Sequence, residues 1–159
     1  MTAERVSIAE CNKARFSVFF DANVILDAIR DKGRGPTIEN FLRVDPPLRL
    51  IASMTLYEVA FSRKGLTTTR LEQNQQWVRD HFATEIPFQE RVGLRFERFL
   101  RREAHLVRGK TDLADLLLAC WMLAQQQQGR GATQLAIATK NEKDFDSLPV
   151  RLVCDFLRP

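Results

Sequence analysis

The chain has 159 residues, 45% hydrophobic and 28% charged, enough for one domain that buries roughly 68–70% of the surface its unfolded chain would expose. Twenty-four lysines and arginines against twenty acids give a formal charge of +4, which permits an anionic partner without demanding one. The longest apolar run, Leu116 to Ala124, is far short of the roughly 20 residues of a membrane-spanning helix, and residues 1–15 lack the apolar core of a signal peptide, so neither a span nor export is expected.

Residues 1–15 mix charged and small side chains and are set apart as an N-terminal extension of unknown role, ahead of a single domain over 16–159. Phe16 to Phe20 is β-branched and aromatic, a strand that runs through Asp21 into a helix whose Val24, Ile25, Ala28 and Ile29 share one face. Gly33 to Pro36 breaks that helix, a short one follows over 37–44, and Asp45-Pro-Pro47 stops it before a second strand over 48–52. Helical periodicity resumes over 54–63, 71–82 and 89–106, with Glu85 to Phe88 as the connection between the last two. A largely buried helix spans 111–128, and short strands are expected over 134–138 and 150–153. Short apolar strands alternating with helices define a three-layer α/β/α domain with a mainly parallel central sheet. In such sheets ligands bind beyond the carboxyl ends of the strands. Three cysteines, Cys11, Cys120 and Cys154, form no Cys-x-x-Cys pair, which argues against a disulfide framework or a zinc knuckle and fits a reducing cytoplasm.

The strand exits carry acids. Asp21 ends the first strand, Glu58 lies in the helix after the second, and Thr139, Asn141 and Asp144 follow the third. Asp112 and Asp115 sit three residues apart at the start of the buried helix, on one face. Capping accounts for acids at helix starts, but not for Glu58 inside a helix or for Asp115 leading so apolar a run. Carboxylates converging at a half-buried place repel, and a cation relieves that repulsion.

These segments, taken together, resemble the PIN-domain nucleases. Phe20-Asp21-Ala-Asn23-Val-Ile-Leu-Asp27 looks like the family's opening Asp-x-Asn, Met54-Thr-Leu-Tyr-Glu58-Val-Ala is similar to its second segment, and Asp115-Leu-Leu-Leu-Ala-Cys-Trp-Met-Leu-Ala to its third. Ala138-Thr139-Lys-Asn141-Glu-Lys-Asp144-Phe145 resembles its Thr-x-Asn-x-x-Asp-Phe ending. The order is kept from residue 16 to 153, although Trp121 and Met122 are bulkier than the family's usual small residues. The resemblance is closest to VapC-type toxins and implies a PIN-like fold and a metal-dependent ribonuclease that leaves a 5′-phosphate and a 3′-hydroxyl. It also implies an antitoxin protein and a second copy of the chain as partners. Asp21, Glu58, Asp115 and Asp144 are the expected catalytic and metal-binding residues, Asp112 an auxiliary ligand or only a cap, and Asn23, Thr139 and Asn141 the substrate-orienting ones. Hard oxygen donors without a histidine or cysteine cluster suit Mg²⁺ or Mn²⁺.

Between Arg91 and Lys110 lie seven cations and two acids, with Arg91, Arg95, Arg98 and Arg102 at helical spacing beside Val92, Phe96 and Phe99. This is either a solvated helix face or a surface that tracks RNA phosphates. Gly109-Lys110-Thr111 lacks the first glycine of a phosphate-binding loop, and His81 and His105 stand apart from the acids, which argues against histidine acid–base chemistry. An aspartyl phosphatase is disfavoured because Asn23 is an amide where a second acid is needed. The rival of another class is a catalytically silent module of the same fold that binds RNA or protein.

Overall fold

A computed structural model describes residues 2–61, 68–102, 112–126 and 134–157. In chain order these form β1 (Glu4–Val6), α1 (Ile8–Ala14), β2 (Ser17–Phe20), α2 (Ala22–Arg30), α3 (Pro36–Arg43), β3 (Arg49–Ala52), α4 (Ser53–Phe61), α5 (Thr68–His81), β4 (Thr84–Ile86), α6 (Glu90–Arg102), α7 (Leu113–Gln126), β5 (Leu135–Ala138) and β6 (Arg151–Val153). Short 3-10 turns occupy Pro46–Leu48, Glu142–Asp144 and Cys154–Phe156. The far ends of the helices expected over 54–63, 89–106 and 111–128 lie outside the described residues.

The described strands form one sheet in the order β1-β6-β5-β2-β3-β4, and every pairing is parallel. Parallel strands need crossovers, and the helices supplying them cover both faces, so strand residues alternate between two cores. In β2, Val18 and Phe20 enter the core beneath α1, α2, α3 and α5, while Phe19 enters the one beneath α6 and α7. In β5, Ala136 and Ala138 join the first core, Leu135 and Ile137 the second. The three-layer α/β/α architecture is the one the alternation of short strands and helices predicts.

Two strands exceed that expectation. Residues 2–15 are part of the fold: β1 pairs with β6 in the sheet, and α1 starts on a capping box in which Ser7 and Glu10 bond reciprocally. Burial of Val6, Ile8 and Cys11 ties this unit to the first core. At the other edge, Thr84–Ile86 pairs with β3 where only a connection was expected. Three residues, two of them exposed polar ones, are too few to show periodicity.

Helix α7 is apolar on all sides, as expected of a helix buried all round. Eight of its fourteen residues are buried, Ala119, Cys120, Met122 and Ala124 completely. Trp121 Nε1 donates to the Ile86 carbonyl at 3.1 Å and Gln125 Nε2 to Gln89 Oε1 at 3.3 Å, which sets the start of α6 against the end of α7. The two helices therefore run antiparallel, and the C-terminal part of α6 lies toward the end of α7 that bears Asp115.

Candidate functional site

Because all strands are parallel, their carboxyl ends open onto one edge of the sheet, where β2 delivers Asp21, β5 delivers Thr139 and β3 leads into α4 with Glu58. Asp21 occupies the N-cap position of α2, yet its side chain makes no capping hydrogen bond. Its Oδ2 instead accepts from Thr139 Oγ1 and from Asn23 Nδ2, each at 2.8 Å. Thr139 Oγ1 accepts in turn from the Asn141 backbone amide at 3.0 Å, and Asn23 Oδ1 from the Lys140 amide at 3.2 Å. This network fixes one face of a carboxylate that is only 8% exposed.

Charge repulsion couples the other acids to Asp21. Burial raises the Asp21 carboxyl, with repulsion from Asp112 adding to it and the Thr139 hydroxyl opposing it. Burial, then Asp21 and Asp112, lift Glu58 to about 7. Asp115 is pushed up to about 8 by burial, then by Asp21, Asp112 and Asp144. Asp144 closes a 3-10 turn in which its amide donates to the Asn141 carbonyl at 3.1 Å, and its charge bears on Asp115. The four strand-exit and helix acids thus share one electrostatic environment.

Asp112 caps α7: its Oδ1 accepts from the Asp115 amide at 2.9 Å, and the residue is exposed. Its charge nevertheless bears on Asp21, Glu58 and Asp115. Among the described residues, no group of three or more His, Cys, Asp or Glu side chains is arranged to hold an ion. The acids couple electrostatically without closing on a single point. Their chemistry still fits a hard divalent cation, which favours the ionised form that burial and mutual repulsion oppose. Asp21, Glu58, Asp115 and Asp144 are the side chains that could hold it.

On α6, Arg91 and Arg98 are exposed, Arg101 is exposed beside Glu97 at 3.9 Å, and Arg95 is half-buried with its guanidinium 4.7 Å over the Phe99 ring. The side chain of Arg102, and residues Arg108 and Lys110, lie outside the described residues. Three polar pairs near the site have no sequence signal, because their partners are more than a hundred residues apart. Lys140 Nζ meets Asp27 Oδ2 at 2.5 Å, and Arg5 meets Glu142 and Asp146.

The fold, helices on both faces of an all-parallel sheet, is PIN-like. Two solved structures share this fold. FitAcB from Neisseria gonorrhoeae matches with a TM-score of 0.66 over 87% of this chain and 98% of its own, at 16% identity. FitAB bound to an IR36 DNA fragment matches with a TM-score of 0.69 over 89% of this chain and 97% of its own, also at 16% identity. At that identity the likeness is one of fold. No family model and no curated protein matches the sequence.

Proposed function

We propose that the chain is a metal-dependent endoribonuclease of the VapC type, the toxin member of a toxin–antitoxin pair. One observation carries this reading: Asp21, Glu58 and Asp115, on three different elements at the carboxyl edge of the sheet, are all raised by burial and by repulsion from neighbouring acids, with Asp112 acting on all three and Asp144 on Asp115. Asp21, Asp115 and Asp144 would hold Mg²⁺ or Mn²⁺, with Glu58 binding directly or through water. A bound ion would supply Lewis acidity, lowering the pKa of a water and offsetting charge on the phosphodiester. Asn23 and Thr139 hold Asp21 in one orientation, and Asn141, exposed at the rim, is available to the phosphate or to water.

The exposed arginines of α6 offer the phosphate backbone an approach toward the acidic end of α7. The likeness to FitAB, whose structure includes a DNA fragment, supports a partner of the antitoxin kind, and a second copy of the chain completes the expected assembly. Cys11, Cys120 and Cys154 are not joined in disulfides, which suits the cytoplasm, and among the described residues no helix is long and apolar enough to cross a membrane.

The test is incubation with single-stranded RNA, with and without Mg²⁺ or Mn²⁺. Cleavage is expected only with the ion, and Asp21→Asn is expected to slow it at least about 100-fold, the scale of losing transition-state charge stabilisation. Cleavage that survives EDTA overturns the metal-dependent reading. Binding without cleavage by the unaltered chain favours the silent module.

A further inference from the structure

The N-terminal strand, which has no counterpart in the resemblance, touches the turn that carries Asp144. Ala3 N donates to the Asp146 carbonyl and Glu4 N to the Val150 carbonyl, each at 3.0 Å, so the backbone of β1 and its approach lie along the segment that follows Asp144. Arg5 then reaches across with its side chain. Its Nε donates to Glu142 Oε2 at 2.7 Å and its Nη2 to Asp146 Oδ1 at 2.8 Å, one carboxylate on each side of Asp144. The Glu142 side chain is only 12% exposed, and among the described residues its Oε1 is buried with no hydrogen-bond partner. A half-satisfied, nearly buried carboxylate is costly unless a cation is fixed against it, and Arg5 is that cation.

We infer that Arg5 is a positioning residue for the acidic site. By neutralising Glu142 and bridging to Asp146, it holds the 142–146 turn in the conformation that presents Asp144. The segment around β1 is therefore a built-in clamp on the fourth acid. The inference rests on the metal-binding reading of Asp144, but the clamp itself is tested without metal. Ion pairs at half-exposed positions are individually weak. This one differs because its loss strands a buried charge two residues from a proposed ligand. Partners that orient metal ligands typically change metal affinity by 10–100-fold when removed.

The experiment compares the full chain with Arg5→Ala, Arg5→Ala combined with Glu142→Gln, and a control, Arg15→Ala, which breaks only the exposed pair of Arg15 with Asp45. Hydrogen exchange on metal-free protein reads the amides of Asp144, Phe145 and Leu148, which donate to Asn141, Glu142 and Phe145. Mn²⁺ affinity is read by electron paramagnetic resonance. Arg5→Ala is expected to lower protection of those three amides at least about tenfold, while the β5 amides keep theirs. It is also expected to weaken Mn²⁺ binding by about 10–100-fold. Removing the stranded charge with Glu142→Gln restores part of both, and Arg15→Ala changes neither. Unchanged protection in Arg5→Ala overturns the clamp whatever the metal does. Lost protection with unchanged Mn²⁺ affinity overturns its role in positioning Asp144. Absence of Mn²⁺ binding by the unaltered chain overturns the metal reading, while the exchange measurement still decides the clamp.

Discussion

The Asp21 carboxylate meets the Thr139 hydroxyl and the Asn23 amide on one oxygen, so its orientation is set before any ligand arrives. The neighbouring acids carry the pH dependence. Glu58 at about 7 and Asp115 at about 8 are raised by folding above ordinary carboxylate values. As pH rises from about 4 the unfolded chain loses these protons first, so the folded state binds more protons than the unfolded one. Metal-free stability accordingly falls as pH rises from about 4 to about 8. Asp115→Asn removes most of this decline and raises the metal-free melting temperature at pH 8 by about 2–4 °C, the shift that about 1 kcal/mol gives a domain of this size. A thermal melt at pH 5 and pH 8 checks both statements. Arg49 works differently: it is 5% exposed, donates to the carbonyls of Val44, Leu42 and His81, and lies 4.7 Å over Phe41. Arg49→Ala should cost about 3 kcal/mol in urea unfolding, because it strands buried carbonyls at the ends of α3 and α5. The acids of the site were legible because each follows a strand or leads a helix. Lys140 and Arg5 were not, because an isolated cation carries no mark of a partner more than a hundred residues away, and Arg49 was not, because its partners are backbone carbonyls and a ring that leave no charge pattern.

Among the elements, α7 shows how far pattern alone reaches. Its unbroken apolar run predicted a buried helix, and the helix is packed between the sheet and α6. Ala119 has no exposed surface, so Ala119→Leu overpacks this layer. The expected cost is about 1–3 kcal/mol, read as a lower urea midpoint with an unchanged slope. The edge strands mark where pattern stops. In β1 and β4 only three residues pair, and their side chains are largely polar and exposed, Glu4 and Arg5 at one edge, Thr84 and Glu85 at the other. Polar edge strands resist pairing with other chains, and the same polarity hides them from any hydrophobic periodicity. Partner strands decide them, and partners are a tertiary property.

For the molecule as a whole, the +4 net charge is a sum over unlike regions. Acids gather at the carboxyl edge, while Arg91, Arg98 and Arg101 lie exposed on α6. RNA binding should therefore weaken by about tenfold between 50 and 200 mM salt, and Arg98→Ala with Arg101→Ala should reduce the log–log slope by about 1. Fluorescence anisotropy with a short labelled RNA measures both. Whether the four acids form a cation site is decided by calorimetric titration of Mn²⁺ at pH 7 in two buffers of different ionisation enthalpy. A ligand must be deprotonated to bind, so saturable binding is expected to release protons held by Glu58 and Asp115, and Asp21→Asn to abolish it. No binding at millimolar Mn²⁺, or binding that releases no protons and survives Asp21→Asn, rules the cation site out.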